Sequence, residues 1–206
     1  VAIVQEAGLN PVVMDVDSFA IENAFEVNYD LSPDDTVVLV NIGASIININ
    51  VLRGGLTAFT RDITLGGNQY TEEIQKQLNV SYEEAEALKI GGDIVRDSQA
   101  VVPEEVEQII RAVSENVATE IQRSLDFYAA TSTEDEISRI FLGGGSSRVP
   151  GLTRVIQDKT GLPVELVNAF RKIEINEKDF NIAFLNEVAP MASVAVGLAL
   201  RRSGDK

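Results

Sequence analysis

The chain has 206 residues, 45% of them hydrophobic, enough for one large domain or two small ones with real cores. Lys and Arg number 17 against 32 Asp and Glu, a formal net charge of −15, which disfavours binding to nucleic acid or to an anionic membrane. The absence of Cys and His excludes disulfides, thiol chemistry, zinc–cysteine sites, His triads and His metal sites, and suits a cytosolic protein.

The N-terminus lacks the basic start of a signal peptide, and no apolar run reaches membrane-spanning length. The chain opens mid-pattern on Val1-Ala2-Ile3-Val4, so it is expected to be a piece of a longer protein. Val12-Val13-Met14 with Val16 predicts a strand end. Asp17-Ser18 then caps a short helix carrying Phe19, Ala20 and Phe25. Leu31-Ser32-Pro33-Asp34-Asp35 is a turn cluster and a candidate boundary. A β-meander follows. Thr36 to Ile42 is a buried-type run, Ser45 to Leu52 alternates Ile47, Ile49 and Val51 against Asn48 and Asn50, and Arg53-Gly54-Gly55-Leu56 closes a hairpin returning over Thr57 to Thr64.

Gly66-Gly67 breaks the sheet pattern, and helical spacing follows through Thr71, Ile74 and Leu78. Ser81-Tyr82-Glu83-Glu84 is a capping-box signature ahead of Ala85, Leu88 and Ile90, and Gly91-Gly92 stops that helix. Asp93 to Val102 is expected as a loop. Pro103 begins a long helix with Val106, Ile109, Ile110, Val113, Val117, Ile121, Leu125 and Tyr128 on one face. Its acidic face is expected in solvent. Thr131 to Glu136 is a polar loop. The β signal resumes at Ile137 to Leu142, followed by Gly143-Gly144-Gly145-Ser146-Ser147-Arg148 and a helix from Pro150 to Thr160. A strand at Val164 to Val167, an irregular charged stretch from Asn168 to Asn186, and a small-residue helix Met191 to Leu200 opened by Ala189-Pro190 complete the chain. With Ser193 its only polar residue before Arg201, that last helix is expected to be buried on most sides.

Four spaced elements suggest one cleft. Asn41-Ile42-Gly43-Ala44-Ser45 is a strand and turn of small residues. Gly66-Gly67 precedes Glu86 and Lys89, an i,i+3 pair whose charges share a helix face. That pair is either a solvated surface ion pair or a grip on ribose hydroxyls. Gly143, Gly144 and Gly145 let a flat ligand lie against bare backbone, the helix start behind them offers N–H groups, and Arg148 supplies a planar cation for stacking. Ala189 to Arg202 is a packed connecting helix.

This order resembles the actin, Hsp70 and sugar-kinase ATPase superfamily. Gly144 to Pro150 is similar to the adenosine motif of Hsp70, Asn41 to Ser45 to the second phosphate loop, and Asp17 to Ala20 and Ala189 to Leu200 to the two connecting helices. Leu65-Gly66-Gly67-Asn68 with Thr71 and Ala85 to Lys89 resembles the cell-division protein FtsA and the PilM family of type IV pilus assembly. Ala7 to Val12 leading to Asp15-Val16-Asp17, and Val188 to Ala192 leading to Gly197 to Arg201, resemble PilM in particular.

The resemblance implies an α/β actin-like (ribonuclease H-like) ATPase fold, mainly its second domain. Residues 1–35 would end the first domain. Residues 36–188 would form the second, with β parts 36–65 and 137–188 around a helical insertion 66–136, and residues 189–206 would return to the first domain. It implies binding of ATP or ADP through Asn41, Gly43, Ala44, Ser45, Gly66, Gly67, Glu86, Lys89, Gly143, Gly144, Gly145, Ser146 and Arg148, with Mg²⁺ near Asn41 and Asp17. Where the family's second phosphate loop commonly carries Asp, this chain has Asn41. An amide holds a hard dication less strongly, so nucleotide binding with weak or absent hydrolysis is expected. As partners it implies the PilN cytoplasmic peptide, PilO indirectly and the pilus motor ATPase, with self-association through exposed flanks, in the cytoplasm beneath the inner membrane. No nucleic acid and no direct membrane insertion are expected. An FtsA-like cell-division protein, a metabolic kinase of the superfamily, and an assembly protein that has lost nucleotide binding are the alternatives.

Overall fold

A computed structural model describes residues 1–91, 104–132, 136–202 and Gly204. The meander forms as its alternation dictates. β1 (Thr36–Ile42), β2 (Ile47–Arg53) and β3 (Leu56–Ile63) are joined by tight turns, and β4 (Ile137–Gly143) and β5 (Val164–Leu166) extend the sheet on the other side of β1. The order is β3-β2-β1-β4-β5. β1–β2 and β2–β3 are antiparallel, whereas β1–β4 and β4–β5 are parallel.

The period-two rule sorts the side chains onto two faces. Val38, Val40, Ile42, Ile47, Ile49 and Val51 face a core completed by Tyr70 and Ile74 of α3 (Gly67–Leu78) and by the apolar stripe of α5 (Glu104–Thr131). Val37, Leu39, Leu52 and Phe141 face Ile21 and Phe25 of α2 (Asp17–Asn28). β1 is apolar along both faces because both are covered. Between the layers Phe25 stacks on Tyr29 at 4.5 Å and meets Phe141 edge-on at 4.7 Å.

α1 is a short helix, Ala2–Glu6, and α4 (Tyr82–Lys89) carries the anticipated capping box, Ser81 and Glu84 each bonding the other's backbone. α6 is Leu152–Thr160, α7 is Ile182–Val188 and α8 is Ser193–Leu200.

Several expectations are corrected. Residues 12–16 form no strand, because no described strand lies beside them to complete a ladder. The N-cap of α2 is Val16, so Asp17 and Ser18 lie inside the first turn and do not cap it. Gly67 is already helical, and Thr131 ends α5 rather than starting a loop. A 3₁₀ turn, Gly145–Arg148, follows the glycines, and the α-helix begins only at Leu152 behind Gly151 at φ +78. β5 stops at Leu166. The stretch read as irregular contains α7, whose start is fixed by the Asn181 side chain accepting from the Phe184 N–H at 3.2 Å. α8 starts later than Met191, bent by 100° from α7 across the Pro190 break. It is buried at Ser193, beside Gly143, and at Gly197, where it crosses α2. Gly197 sits so close to Ala20 that a Cβ would lie 1.7 Å from its carbonyl oxygen, while Leu198 is 47% exposed on the other side. The residues expected to stop α4 at Gly92, to form a loop at 93–102, to start α5 at Pro103, and most of the polar loop after Thr131 lie outside the described residues. Among the described residues no single helix is long and apolar enough to cross a membrane.

Candidate functional site

The parallel pairing of β1 with β4 sets Asn41 beside Gly143, so the turns that leave both strands lie side by side. The start of α3 closes onto them. The Gly67 and Asn68 N–H groups donate to the Gly43 and Ala44 carbonyls at 2.9 and 2.8 Å, the Ser146 hydroxyl donates to the Gly43 carbonyl at 3.1 Å, and the Asn68 amide donates to Ser45 Oγ at 3.1 Å. The space is full: a Cβ on Gly66 would lie 2.6 Å from the Gly43 and Ala44 oxygens, and one on Gly67 2.2 Å from Ser146 Oγ. Gly66 is extended at φ −178, so packing and not backbone conformation demands glycine there. Gly144 is held at φ +89 against Ile42, its N–H bonded to the Pro190 carbonyl at 2.9 Å. Most of the glycines therefore build the junction itself. Gly145 differs, since a Cβ there would meet nothing within 4 Å and its backbone is open to the adjoining cleft.

That cleft, of about 470 Å³, is lined by Ala44, Gly67, Glu86, Lys89, Gly145, Ser146 and Arg148 among the predicted residues, a volume in the range of small-molecule sites. Lys89 is 7% exposed, and its ammonium donates to Glu86 Oε2 at 2.6 Å, Thr71 Oγ1 at 3.1 Å and the Gly67 carbonyl at 3.4 Å. Thr71 also donates to Glu86 Oε2 at 2.6 Å. Those three acceptors use all of the ammonium's hydrogens. Lys89 thus ties α4 to the start of α3, and Glu86, whose second oxygen meets no donor among the described residues, is the better placed of the pair to meet a ligand. Burial would raise the Glu86 carboxyl, but hydrogen bonds from Lys89 and Thr71 and the Lys89 charge outweigh it and hold it below the ordinary value.

Arg148 pairs with Glu187 of α7 at 3.2 Å, both in water. Tyr82, Ile90, Met191 and Glu187 also line the cleft and were not singled out from the sequence. Tyr82 and Ile90 are 50% and 63% exposed, apolar surface left uncovered beside a basic and an acidic group. Their only sequence signal was position: Tyr82 follows the cap Ser81, and Ile90 follows Lys89, where a core role was the simpler assignment.

Asn41, Gly43, Ser45, Gly66, Gly143 and Gly144 border the junction without lining this cleft. Asn41 donates to Asn48 Oδ1 at 3.0 Å, and Asn48 donates to Asp62 Oδ1 at 2.8 Å. The Ala44 and Ser45 N–H groups make no hydrogen bond among the described residues, which leaves two donors at the turn for an anion. Asp17 is exposed at the start of α2. No group of three or more His, Cys, Asp or Glu able to hold a metal occurs among the described residues.

The family model described as type IV pilus assembly protein PilM matches residues 1–203. The chain belongs to the PilM family. Among solved structures, the PilM–PilN type IV pilus biogenesis complex superposes with TM-score 0.83 at 31% identity, over 96% of this chain and 55% of that one. The ethanolamine utilization protein EutJ from Carboxydothermus hydrogenoformans gives 0.67 at 20% identity, over 96% and 58%. MreB5 of Spiroplasma citri bound to ADP gives 0.65 at 12% identity, over 97% and 62%. This PilM-family chain therefore has the actin-like fold and spans between 55% and 62% of the length of these three structures.

Proposed function

We propose that this chain supplies one wall of an ATP- or ADP-binding cleft in a scaffold of the type IV pilus assembly machine. The observation that carries the proposal is the meeting of three turns, at Gly43 to Ser45, Gly66-Gly67 and Gly143 to Ser146, beside the Glu86–Lys89–Thr71 network. Phosphates would lie on the free Ala44 and Ser45 N–H groups, ribose against Glu86, and the base between Ile90 and the Arg148 guanidinium along the bare Gly145 backbone. Arg148 must leave Glu187 to stack, a small cost for an exposed pair.

We further propose Mg²⁺ beside the phosphates, where it would keep most of its waters and be held mainly by phosphate oxygens. Of this chain's residues, Asn41 and Asp17 would help to hold it, and when bound it would screen the phosphate charge. A neutral amide activates water poorly, so the nucleotide would act as a clamp that shifts the scaffold between conformations rather than as fuel. The similarity to a PilM–PilN complex supports PilN as a partner, bound in this reading through its cytoplasmic peptide. PilO, reached through PilN, the pilus motor ATPase and self-association complete the proposed assembly, in the cytoplasm beneath the inner membrane.

Titration calorimetry of ATP and ADP into a protein of the family's full length carrying this sequence tests the reading. Micromolar or tighter binding that Arg148→Ala weakens supports it, and no heat at millimolar nucleotide refutes it.

A further inference from the structure

Two phenylalanines stand in water on the segment that forms the start of α7. Phe180 and Phe184 are 57% and 58% exposed. The backbone beneath them is fixed by asparagines. The Phe180 N–H donates to the Asn176 carbonyl at 3.2 Å, and the Phe184 N–H donates to Asn181 Oδ1 at 3.2 Å. The Asn176 amide in turn donates to Asp179 Oδ2 at 2.5 Å, and its side-chain oxygen accepts from the Lys178 N–H at 3.2 Å. All of these bonds are local, and α7 has no buried residue. Short-range polar bonds thus hold two aromatic side chains out where no core covers them. Single exposed apolar side chains are ordinary, but a pair on a fixed backbone has the form of a binding anchor, since little freedom is lost when it is covered.

The charge around the pair decides what can cover it. Residues 173–188 carry Glu174, Glu177, Asp179 and Glu187, all exposed, against Lys178 alone. Glu187 is paired with Arg148, whereas Glu174 and Glu177 bond no described group. A second copy seated face to face would set this acidic rim against itself, in a chain of net charge −15. An anionic lipid surface is repelled in the same way. A segment with an apolar face and basic flanks meets both the aromatics and the acids.

We propose that the exposed face of residues 173–188, anchored by Phe180 and Phe184, docks a basic segment of another protein that carries an apolar face. This surface goes beyond the reading of the cleft given above and needs no nucleotide bound there.

The probe is a fluorescein-labelled amphipathic helical peptide of leucine and lysine, titrated by anisotropy into a protein of the family's full length carrying this sequence. A leucine–glutamate peptide is the control. The lysine peptide should bind and the glutamate peptide should not. Phe180→Ser with Phe184→Ser should weaken binding about tenfold or more, as the loss of two anchors does. Glu174→Lys with Glu177→Lys should weaken it about tenfold and flatten its dependence on salt. Phe127→Ser removes a phenylalanine of equal exposure, 57%, from α5. It should change binding by less than about twofold. All of these side chains are exposed, so Tm should stay within about 2 °C, which reports an intact fold. No binding of the lysine peptide overturns the proposal, whether the face binds nothing or the rest of the full-length chain covers it. Equal binding of the glutamate peptide overturns it, and so does an equal loss in Phe127→Ser. A concentration-dependent dimer, seen by sedimentation, that Phe180→Ser with Phe184→Ser dissociates overturns it as well, because a second copy would then be the occupant.

Discussion

Lys89→Met removes a nearly buried ammonium while keeping the length of its stem. Lys89 holds Glu86, Thr71 and the Gly67 carbonyl at 2.6, 3.1 and 3.4 Å, so one side chain joins two helices and the junction at the end of β1. Deleting one partner of a fully buried ion pair costs about 3–5 kcal/mol, because the other charge is stranded. Glu86 is not stranded, since its side chain keeps 36% of its surface in water and can rehydrate. The loss should therefore be near that of hydrogen bonds to a charged group, about 2–3 kcal/mol. At roughly 2–4 °C per kcal/mol for a domain of this size, Tm should fall by about 4–12 °C. The acid limb distinguishes this mechanism from simple loss of packing. Because the folded-state Glu86 value is lowered, its contribution is complete above the ordinary glutamate value of about 4.3 and is lost as the pH falls through the lowered one. Urea unfolding of wild type and variant should differ at pH 7 and converge as the pH falls through the lowered Glu86 value. A Tm change within about 1 °C, or a deficit unaltered by acid, would refute the network as a source of stability.

Gly197→Ala should cost about 1–3 kcal/mol, because the new methyl meets the Ala20 backbone and the two helices must part; urea midpoints check it. Asp15→Asn should cost about 1 kcal/mol, since a 2.7 Å bond from Arg201 holds its carboxyl below the usual range. That stability is complete above the ordinary aspartate value of about 3.9, and the deficit should vanish as the pH falls through the lowered one. In a protein of full family length, Arg148→Ala should weaken ATP and ADP by about 1–2 kcal/mol through lost stacking, measured by calorimetry. Glu86→Ala should weaken ATP more than a 2′,3′-dideoxy analogue; equal losses would leave Glu86 as a partner of Lys89 alone.

The sheet was legible because β2 alternates apolar and polar residues and β1 is a nearly continuous apolar run. Ile47, Ile49 and Val51 face one core, Asn48 and Asn50 the other side, and the turn at Gly54-Gly55 falls where the pattern reverses. The capping box at Ser81 was equally local and equally readable. The failures lie where partners decide. Residues 12–16 are apolar like a strand end but have no described strand beside them to bond. α7 is held by one side-chain cap and has no buried residue, so it leaves almost no periodic signal. α8 is so uniformly apolar that its composition indicated burial on most sides, yet only Ser193 and Gly197, one turn apart, are buried. At the candidate site the residue types were readable but their division of labour was not. The run Gly143-Gly144-Gly145 looks uniform in sequence, and only the neighbours at Ile42 and Pro190 separate a packing glycine from an open one.

That division of labour bears on how a ligand could act here. Gly43 and Ser146 are 103 positions apart, joined because the helices between β3 and β4 carry the chain back to lay β4 parallel to β1. The ends of parallel strands are where α/β sheets leave a crevice, since the chain departs from neighbouring strands in different directions. In this chain the crevice is closed by the start of α3, with contacts too short at Gly66 and Gly67 to admit even a methyl group. A junction packed this tightly has two choices, intact or broken, and no continuous range between them. Its exposed borders are built differently. Ile90 and Gly91 follow the last turn of α4, with Gly91 at φ +66, and the Arg148–Glu187 pair is open to water. Such groups can rearrange without breaking the core. A ligand seated in the cleft should therefore leave the three turns as they are and draw the end of α4 and α7 toward itself.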